Sequence, residues 1–303
     1  MKNLIVFQCR TITPMFMAGA DNRTPELRAP SFKGVMRFWW RVVQAESNLD
    51  KLRKQEAMIF GGAGEGKGKS SFKIRVDFQE TLKTINYQPL PHHTGSSDCF
   101  CVQELDNRRC SKGWRQQALA NMDFSVSLGY DYLPDGFTGK QLECLFILIS
   151  ILGGVGKRSR RGFGSFQVRP VNDCNSKEAI NLNYIRSLLD VLAPGKYHTS
   201  GTTIVLTGAC TADYPYLKEI VIGRQYGSVN SLLERIGRAS HEHSGDHLGF
   251  ARSKLRLASP IYVSVITDDS LSYRPIITTL NTAFERPRPG AVNTQQAFKV
   301  AIL

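Results

Sequence analysis

The sequence has 303 residues, of which 42% are hydrophobic, so it excludes an intrinsically disordered chain and allows two domains of ordinary size. Its formal net charge of +13 indicates an acidic partner, such as a nucleic acid, an anionic lipid surface or an acidic protein. The best apolar run, at residues 145–152, is too short to span a membrane, and seven irregularly spaced cysteines favour a reduced, cytoplasmic chain.

The first half of the chain is predicted to contain both strands and helices. Strands are expected at residues 3–13, 72–78, 122–132 and 163–168, and helices at residues 31–46, 50–60 and 138–152. Asp50 and Thr138 are the expected N-caps of the second and third helices, and Gly153 fits a left-handed end of the third helix. Residues 87–121 are irregular and indicate an insertion.

A polar stretch at residues 174–183 predicts a boundary between two domains, at residues 1–175 and 176–303. The second domain is expected to contain helices at residues 184–192 and 229–237, and strands at residues 202–210, 255–266 and 274–281. Strands and helices do not alternate strictly in either half. We therefore predict an α+β fold rather than a doubly wound one.

Residues 153–165, here called the glycine–arginine loop, follow the third predicted helix and are the most informative stretch of the chain. They include five glycines, three arginines, one lysine and no acid. Glycine lets a backbone approach another surface closely, and a guanidinium offers planar donors that match phosphate oxygens. The loop is therefore predicted to lie against a polyanion; the plainer alternative is a basic, solvated turn.

Residues 31–46 place three cations on one narrow stripe when they are projected onto a helix. Lys33, Arg37 and Arg41 are spaced by four residues and lie between two apolar faces. Because like charges at this spacing repel one another, the stripe is expected to face an anion. Trp40, at its edge, could stack on a base or belong to the core, whereas Trp39 is expected in the core.

Two motifs resemble the RAMP superfamily of CRISPR proteins. The first runs from TPMF at residues 13–16 and GAD at residues 19–21, through ELRAPSFKG at residues 26–34, to RFWWR at residues 37–41. Its RFWWR ending is similar to the family of first subunits of the Cmr (type III-B) effector complex. The second motif is the glycine–arginine loop, which is similar to the G-rich loop that defines RAMP proteins.

This resemblance implies two ferredoxin-like (RRM-like) domains with insertions, in a non-catalytic subunit that caps the backbone of a Cmr complex. Its expected partners are CRISPR RNA, complementary target RNA and other Cmr subunits. Binding to a membrane is not expected. Phosphate contacts suit a protein that must accept any guide sequence. The predicted RNA-binding residues are Lys33, Arg37, Trp40, Arg41, Gly153, Gly154, Gly156, Lys157, Arg158, Ser159, Arg160, Arg161, Gly162 and Gly164.

No catalytic residue, metal or cofactor is predicted, but two alternatives stay open. Backbone subunits of the same superfamily cleave RNA with an aspartate in the loop after the first strand, where Asp21 lies here; a turn-forming role is the other reading of Asp21. An endoribonuclease acting through Asp21 or a histidine is thus the alternative function. Two clusters could bind zinc, although neither has standard spacing: His92, His93, Cys99, Cys101 and Cys110, and His241, His243 and His247.

Overall fold

The computed structural model describes residues 2–21, 23–62, 68–78, 81–90, 115–170, 179–252, 255–268, 272–283 and 291–303. Its strands are β1 Asn3–Thr11, β2 Phe72–Asp77, β3 Thr84–Tyr87, β4 Gln116–Leu119, β5 Asp123–Tyr130, β6 Phe166–Pro170, β7 Tyr197–Ser200, β8 Thr203–Leu206, β9 Leu217–Ile222, β10 Phe250–Arg252, β11 Leu255–Leu257, β12 Ile261–Thr267 and β13 Tyr273–Leu280. Its helices are α1 Ala29–Gln44, α2 Leu49–Phe60, α3 Gly139–Leu152, α4 Leu182–Leu192, α5 Val229–Glu242 and α6 Ala291–Ile302.

Four strands of the N-terminal half form an antiparallel sheet in the order β2-β5-β1-β6. Helices α1 and α2 lie between β1 and β2 in the chain, and α3 lies between β5 and β6, as in a ferredoxin-like module. Side chains alternate along β1: Phe7 is buried and stacks on Phe146 of α3, whereas Gln8 and Arg10 are exposed on the outer face. The predicted ferredoxin-like fold is confirmed for this half.

Five strands of the C-terminal half form a second antiparallel sheet, in the order β12-β13-β9-β8-β7. Helix α5 follows β9 and α6 follows β13, which is the helix placement of a ferredoxin-like module. The hairpin of β7 and β8 takes the position beside β9 where the fourth strand of such a module pairs. The second half is therefore an α+β module of the predicted class, in which the β7–β8 hairpin replaces the usual fourth strand at one edge of the sheet.

Helix α3 lies between the two sheets, and every residue from Cys144 to its end at Leu152 is buried. Its start is the predicted one, because Thr138 and Gln141 form a reciprocal capping box. The left-handed end predicted at Gly153 is wrong, since this residue is extended and a Cβ there would lie 2.7 Å from Ile149 O and Trp39 Nε1. Apolar as it is, α3 is too short to cross a membrane, and the described residues contain no other helix that could.

The two halves share a continuous hydrophobic core. Residues of the second half also form hydrogen bonds at the C-terminal end of α1. The Tyr197 hydroxyl donates to Val43 O at 2.9 Å, and the Gln44 side-chain amide donates to Leu192 O at 3.2 Å. Half of the boundary predicted at residues 174–183 lies outside the described residues, which omit 171–178. The division into residues 1–175 and 176–303 stays a prediction.

Several element boundaries differ from the sequence pattern. Helix α2 begins at Leu49 with Asn48 as its N-cap, not with Asp50, because the Asn48 side chain accepts a hydrogen bond from Lys51 N. The strand predicted at residues 255–266 is two strands, β11 and β12. Strand β9 and helix α6 are not predicted by the pattern at all.

Candidate nucleic-acid interface

The glycine–arginine loop connects α3 to β6 and joins the two halves of the chain. Lys157 N donates to Phe16 O at 2.8 Å, and Gly162 N donates to Val263 O of β12 at 2.7 Å. Between these bonds, residues Ser159–Arg161 form a short 3-10 turn. The loop therefore lies between the β1–α1 connection on one side and β12 on the other.

The glycines of the loop serve contacts within the protein. A Cβ on Gly164, which has a φ of +69°, would overlap the Val155 carbonyl, and one on Gly156 would lie 2.5 Å from Phe16 O. Gly153, Gly154, Gly162 and Gly164 are all buried, so the prediction that they let RNA approach is wrong. Gly156 is exposed, but its positive φ and its missing side chain allow close contact with the β1–α1 connection rather than with RNA.

Arg161 points into the second half of the chain. Its guanidinium donates to Ile261 O at 3.1 Å and to Leu248 O at 3.2 Å, and lies 5.0 Å from the centre of the Phe298 ring. Burial, and then the charges of Arg158 and Arg160, lower the pKa of Arg161 to about 10, so the side chain is still protonated at neutral pH. Backbone carbonyls thus accept hydrogen bonds from the Arg161 guanidinium, and its contact with RNA stays a prediction.

Arg160 contacts the same part of β12 from the opposite face. Its guanidinium carbon lies 4.4 Å from the centre of the Tyr262 ring and 5.5 Å from that of Phe38, and its Nη1 donates to Ser259 O. Arg160 and Arg161 thus hold the start of β12 between them. The predicted RNA contact of Arg160 is replaced by this packing, which the sequence pattern does not show because its partners lie about 100 residues away.

The exposed part of the loop is Gly156, Lys157 and Arg158, with Ser159 half-buried behind them. Arg158 has a left-handed backbone, with φ at 61° and ψ at 19°, which costs a non-glycine residue about 1 kcal/mol. Among the described residues, no carboxylate forms an ion pair with Lys157 or Arg158. These two side chains can therefore meet a phosphate, and the prediction that they bind RNA keeps its structural basis.

The basic stripe on α1 has an acid beneath it. Arg37 and Arg41 both donate to Glu56 of α2; the two guanidinium-bearing side chains are 40% and 41% exposed, whereas the Glu56 side chain is 6% exposed. The Lys33 ammonium lies 5.2 Å from the centre of the Phe72 ring, and burial lowers its pKa, followed by the Arg37 charge. The expected anion thus lies inside the protein, and contact of the exposed sides with RNA stays a prediction.

Trp40 is not available to stack on a base. It is 4% exposed and packs edge-on against Phe60, with ring centres 6.2 Å apart. Helix α2 covers this side of α1, so the stacking prediction is wrong and the core alternative holds. Trp39 is buried as expected, edge-on against Tyr262 of β12.

Arg160 connects the loop to α1. Its guanidinium carbon lies 5.5 Å from the centre of the ring of Phe38, the residue that follows Arg37 in the chain. Arg28 directly precedes α1; its backbone N donates to Met17 Sδ at 3.2 Å, and its side chain pairs with Glu26 at 3.8 Å. We use the name basic surface for five exposed or partly exposed cations of these segments: Arg28, Arg37, Arg41, Lys157 and Arg158.

Sequence reasoning missed two members of this region, Arg28 and the underlying Glu56. Glu56 had a signal that could have found it, because it is an acid on the apolar face of α2. It lies four residues after Leu52 and four before Phe60, and both are buried. An acid at such a position needs a cationic partner, and the neighbouring helix supplied two.

Asp21 forms a turn rather than an open carboxylate site. One oxygen accepts the amides of Arg23 and Thr24, each at 3.0 Å, and the other accepts the Thr24 hydroxyl. The Thr24 hydroxyl first, and then the two amides, lower the pKa of Asp21 below its ordinary value. A general base that works near neutral pH needs a higher pKa, so this geometry favours the turn-forming role.

The two candidate zinc clusters have different outcomes. His92, His93, Cys99, Cys101 and Cys110 lie outside the described residues. In the part of the chain that the structure describes, no three histidine, cysteine or acidic side chains are placed to hold a metal ion, and this includes the His241–His247 cluster.

The family model of the RAMP superfamily matches residues 8–167, from β1 through the glycine–arginine loop into β6. Among curated proteins of Pyrococcus furiosus, the CRISPR system Cmr subunit Cmr1-2 is 30% identical over 186 residues, which cover 55% of this chain and 96% of that protein. The Cmr subunit Cmr1-1 is 28% identical over 166 residues, which cover 54% of this chain and 46% of that protein.

Solved structures match the fold over nearly the whole chain. The apo crystal structure of Cmr1 from Pyrococcus furiosus aligns with a TM-score of 0.63 at 20% identity, covering 98% of this chain and 96% of that one. A chain of the type III-B Cmr-beta complex bound to cognate target RNA aligns with a TM-score of 0.60 at 11% identity, covering 100% of both. With the family match spanning more than half of its residues, the chain belongs to the RAMP superfamily and, within it, to the Cmr1 proteins.

Proposed function

We propose that this chain is a non-catalytic, RNA-binding subunit of a type III-B (Cmr) CRISPR effector complex, acting in the cytoplasm. Its relatives are named Cmr subunits, and one structure of the same fold is a Cmr complex bound to cognate target RNA. The proposed partners are CRISPR RNA, complementary target RNA and other Cmr subunits.

The observation that carries the RNA-binding role is the placement of Lys157 and Arg158. Both are exposed cations on a segment that the protein fixes on each side, by the Lys157 N–Phe16 O bond before them and the Gly162 N–Val263 O bond after them. A fixed loop loses little conformational entropy when it binds, which favours affinity. The left-handed backbone of Arg158 adds to this argument, because such a position suits glycine unless the side chain is needed.

Contacts from lysine and arginine to phosphates are independent of base sequence. The basic surface offers such contacts, whereas Trp40, the aromatic side chain predicted beside the α1 stripe, is buried. We therefore infer that the chain binds the backbone of RNA and tolerates any sequence. The bonding of both Asp21 oxygens within their own turn supports a non-catalytic role.

The test is binding of the purified chain to two labelled single-stranded RNAs of unrelated sequence, over about 50 to 200 mM salt. The variant is Lys157→Ala/Arg158→Ala. The control is Lys73→Ala/Lys218→Ala, which removes the same charge from exposed positions on β2 and β9. We expect the loop variant to bind at least about tenfold more weakly, with a salt slope lower by about 1.4, since each single-strand phosphate contact contributes about 0.7.

The control variant should bind within about twofold of wild type, and the RNA should be recovered intact. Equal losses in the two variants would show that binding reflects net charge alone, and a strong preference for one RNA would argue against backbone binding. Shortened RNA that is restored to full length by Asp21→Ala would instead support the endoribonuclease alternative.

A further inference from the structure

Glu56 is a buried carboxylate shared by two surface arginines. It accepts the Nε of Arg37, and the Nη1 of Arg41 lies 3.3 Å from one of its oxygens and 3.4 Å from the other. The Glu56 side chain is 6% exposed, whereas those of Arg37 and Arg41 are about 40% exposed. The acid therefore holds both guanidinium groups from the inner side.

This arrangement is more than an ordinary surface ion pair. Exposed pairs contribute little, whereas burying a carboxylate this deeply is costly unless cations are hydrogen-bonded to it. Arg37 and Arg41 are one helical turn apart, where two like charges would otherwise repel each other and separate. Glu56 offsets that repulsion, so it keeps the two guanidinium groups side by side.

The bonds to Glu56 leave donors available on the outer side. A guanidinium has five N–H donors, and these bonds use only the Nε of Arg37 and the Nη1 of Arg41. With Lys33, the group carries three cations against one carboxylate, a formal charge of +2. Among the described residues, no second carboxylate pairs with Arg37 or Arg41, so the exposed side of the group suits an anion.

We propose that Glu56 is a positioning residue that presents Arg37 and Arg41 as a paired site for a phosphate of the RNA backbone. The inference rests on the proposed function, because it assigns this phosphate to the same RNA that Lys157 and Arg158 bind. Paired guanidinium groups match the oxygens of a phosphate, and a partner that fixes them beforehand reduces the entropy lost on binding.

Glu56→Gln tests the proposal, since it keeps the shape and one acceptor oxygen while it removes the charge. Positioning predicts that RNA binding weakens about fivefold or more, and that the salt slope falls, although the net charge of the protein becomes more positive. The control is Glu234→Gln, which removes the carboxylate of the Arg238–Glu234 pair on α5. That variant should bind RNA as wild type or slightly more tightly.

Two outcomes would overturn the proposal. Tighter binding by Glu56→Gln would mean that the acid only weakens the positive potential, and unchanged binding with a lower Tm would mean that it only joins α1 to α2. If Glu56→Gln does not fold, Arg37→Lys/Arg41→Lys replaces it: this variant keeps the charge but loses the planar donors, so unchanged binding there would also contradict the proposal.

Failure of this proposal is distinguishable from failure of the proposed function. If Lys157→Ala/Arg158→Ala weakens RNA binding and the Glu56 and Arg37/Arg41 variants do not, only the phosphate site on α1 is contradicted. If none of these variants changes RNA binding, both the α1 site and the proposed function are contradicted.

Discussion

The exposed and the buried parts of the glycine–arginine loop have similar compositions and opposite surroundings. Gly156, Lys157 and Arg158 face solvent, whereas Arg160, Arg161 and Gly162 contact β12, α5 and α6. Lys157 N binds the first half of the chain, and Gly162 N, five positions later, binds the second half. The same two residue types thus present a binding surface in one part and join two modules in the other.

A guanidinium donates to any acceptor that is suitably placed, whether this acceptor belongs to a nucleic acid or to the protein itself. Phosphate oxygens and backbone carbonyls are both acceptors, so composition indicates only that acceptors are near. Backbone direction decides which acceptor is met: the positive φ angles at Gly156, Arg158, Gly162 and Gly164 turn successive side chains outward and then inward.

The largest effect is expected from Gly164→Ala in the buried part. The new Cβ is fixed to the backbone of residue 164 and would overlap the backbone carbonyl of Val155, so the two cannot separate unless the backbone of the loop moves. We expect a loss of at least about 3 kcal/mol in the free energy of unfolding, measured by thermal or urea denaturation. Gly136→Ala is the control: its φ of +79° is likewise left-handed, but nothing lies within 4 Å of the new Cβ, so a loss of about 1 kcal/mol is expected.

Arg161→Ala should have the next largest effect. It leaves the Ile261 and Leu248 carbonyls without this donor and uncovers the Phe298 ring, so we expect a loss of about 3 kcal/mol and a Tm lower by roughly 5 °C. Arg161→Lys should restore little, since one ammonium does not reproduce the planar fork. Arg53→Ala, which removes a 73% exposed arginine, should leave the Tm within about 1 °C; equal losses would contradict the role given to Arg161.

The smallest effect, and one of opposite sign, is expected from Arg158→Gly. Glycine relieves the left-handed backbone, so the free energy of unfolding should rise by up to about 1 kcal/mol and the Tm by about 2 °C, while RNA binding weakens. Arg158→Ala should weaken RNA binding equally without raising the Tm. If Arg158→Gly instead lowers the Tm, the side chain supports the fold and not a ligand.

Local signals predicted much of the fold. Thr138 and the apolar periodicity that follows it predicted α3 to within one residue at each end, because capping and periodicity are properties of neighbouring residues. Alternation predicted β2, and the spacing of Lys33, Arg37 and Arg41 predicted a stripe on α1 that the structure contains. The helix–loop–strand order around the glycine–arginine loop was predicted for the same reason.

What the sequence could not predict depends on contacts between distant residues. The acceptors of Arg161 are backbone carbonyls 87 and 100 residues away, and carbonyls carry no sequence signature. Trp40 was ambiguous because its exposure depends on α2, which packs over α1 and brings Phe60 against the indole. The end of α3 at Gly153 is likewise decided by Trp39, which needs the space that a Cβ would fill.

Lys157 and Arg158 are thus expected to bind RNA, while Arg160 and Arg161 hold the two halves of the chain together. The most direct measurement compares Lys157→Ala/Arg158→Ala with Arg160→Ala/Arg161→Ala, recording the Tm and the RNA affinity of each at a temperature where both are folded. We predict an affinity loss of at least about tenfold with a nearly unchanged Tm for the first, and a Tm loss of about 5 °C or more with a smaller affinity loss for the second. An Arg160→Ala/Arg161→Ala variant with wild-type Tm and the greater loss of RNA affinity would contradict the account.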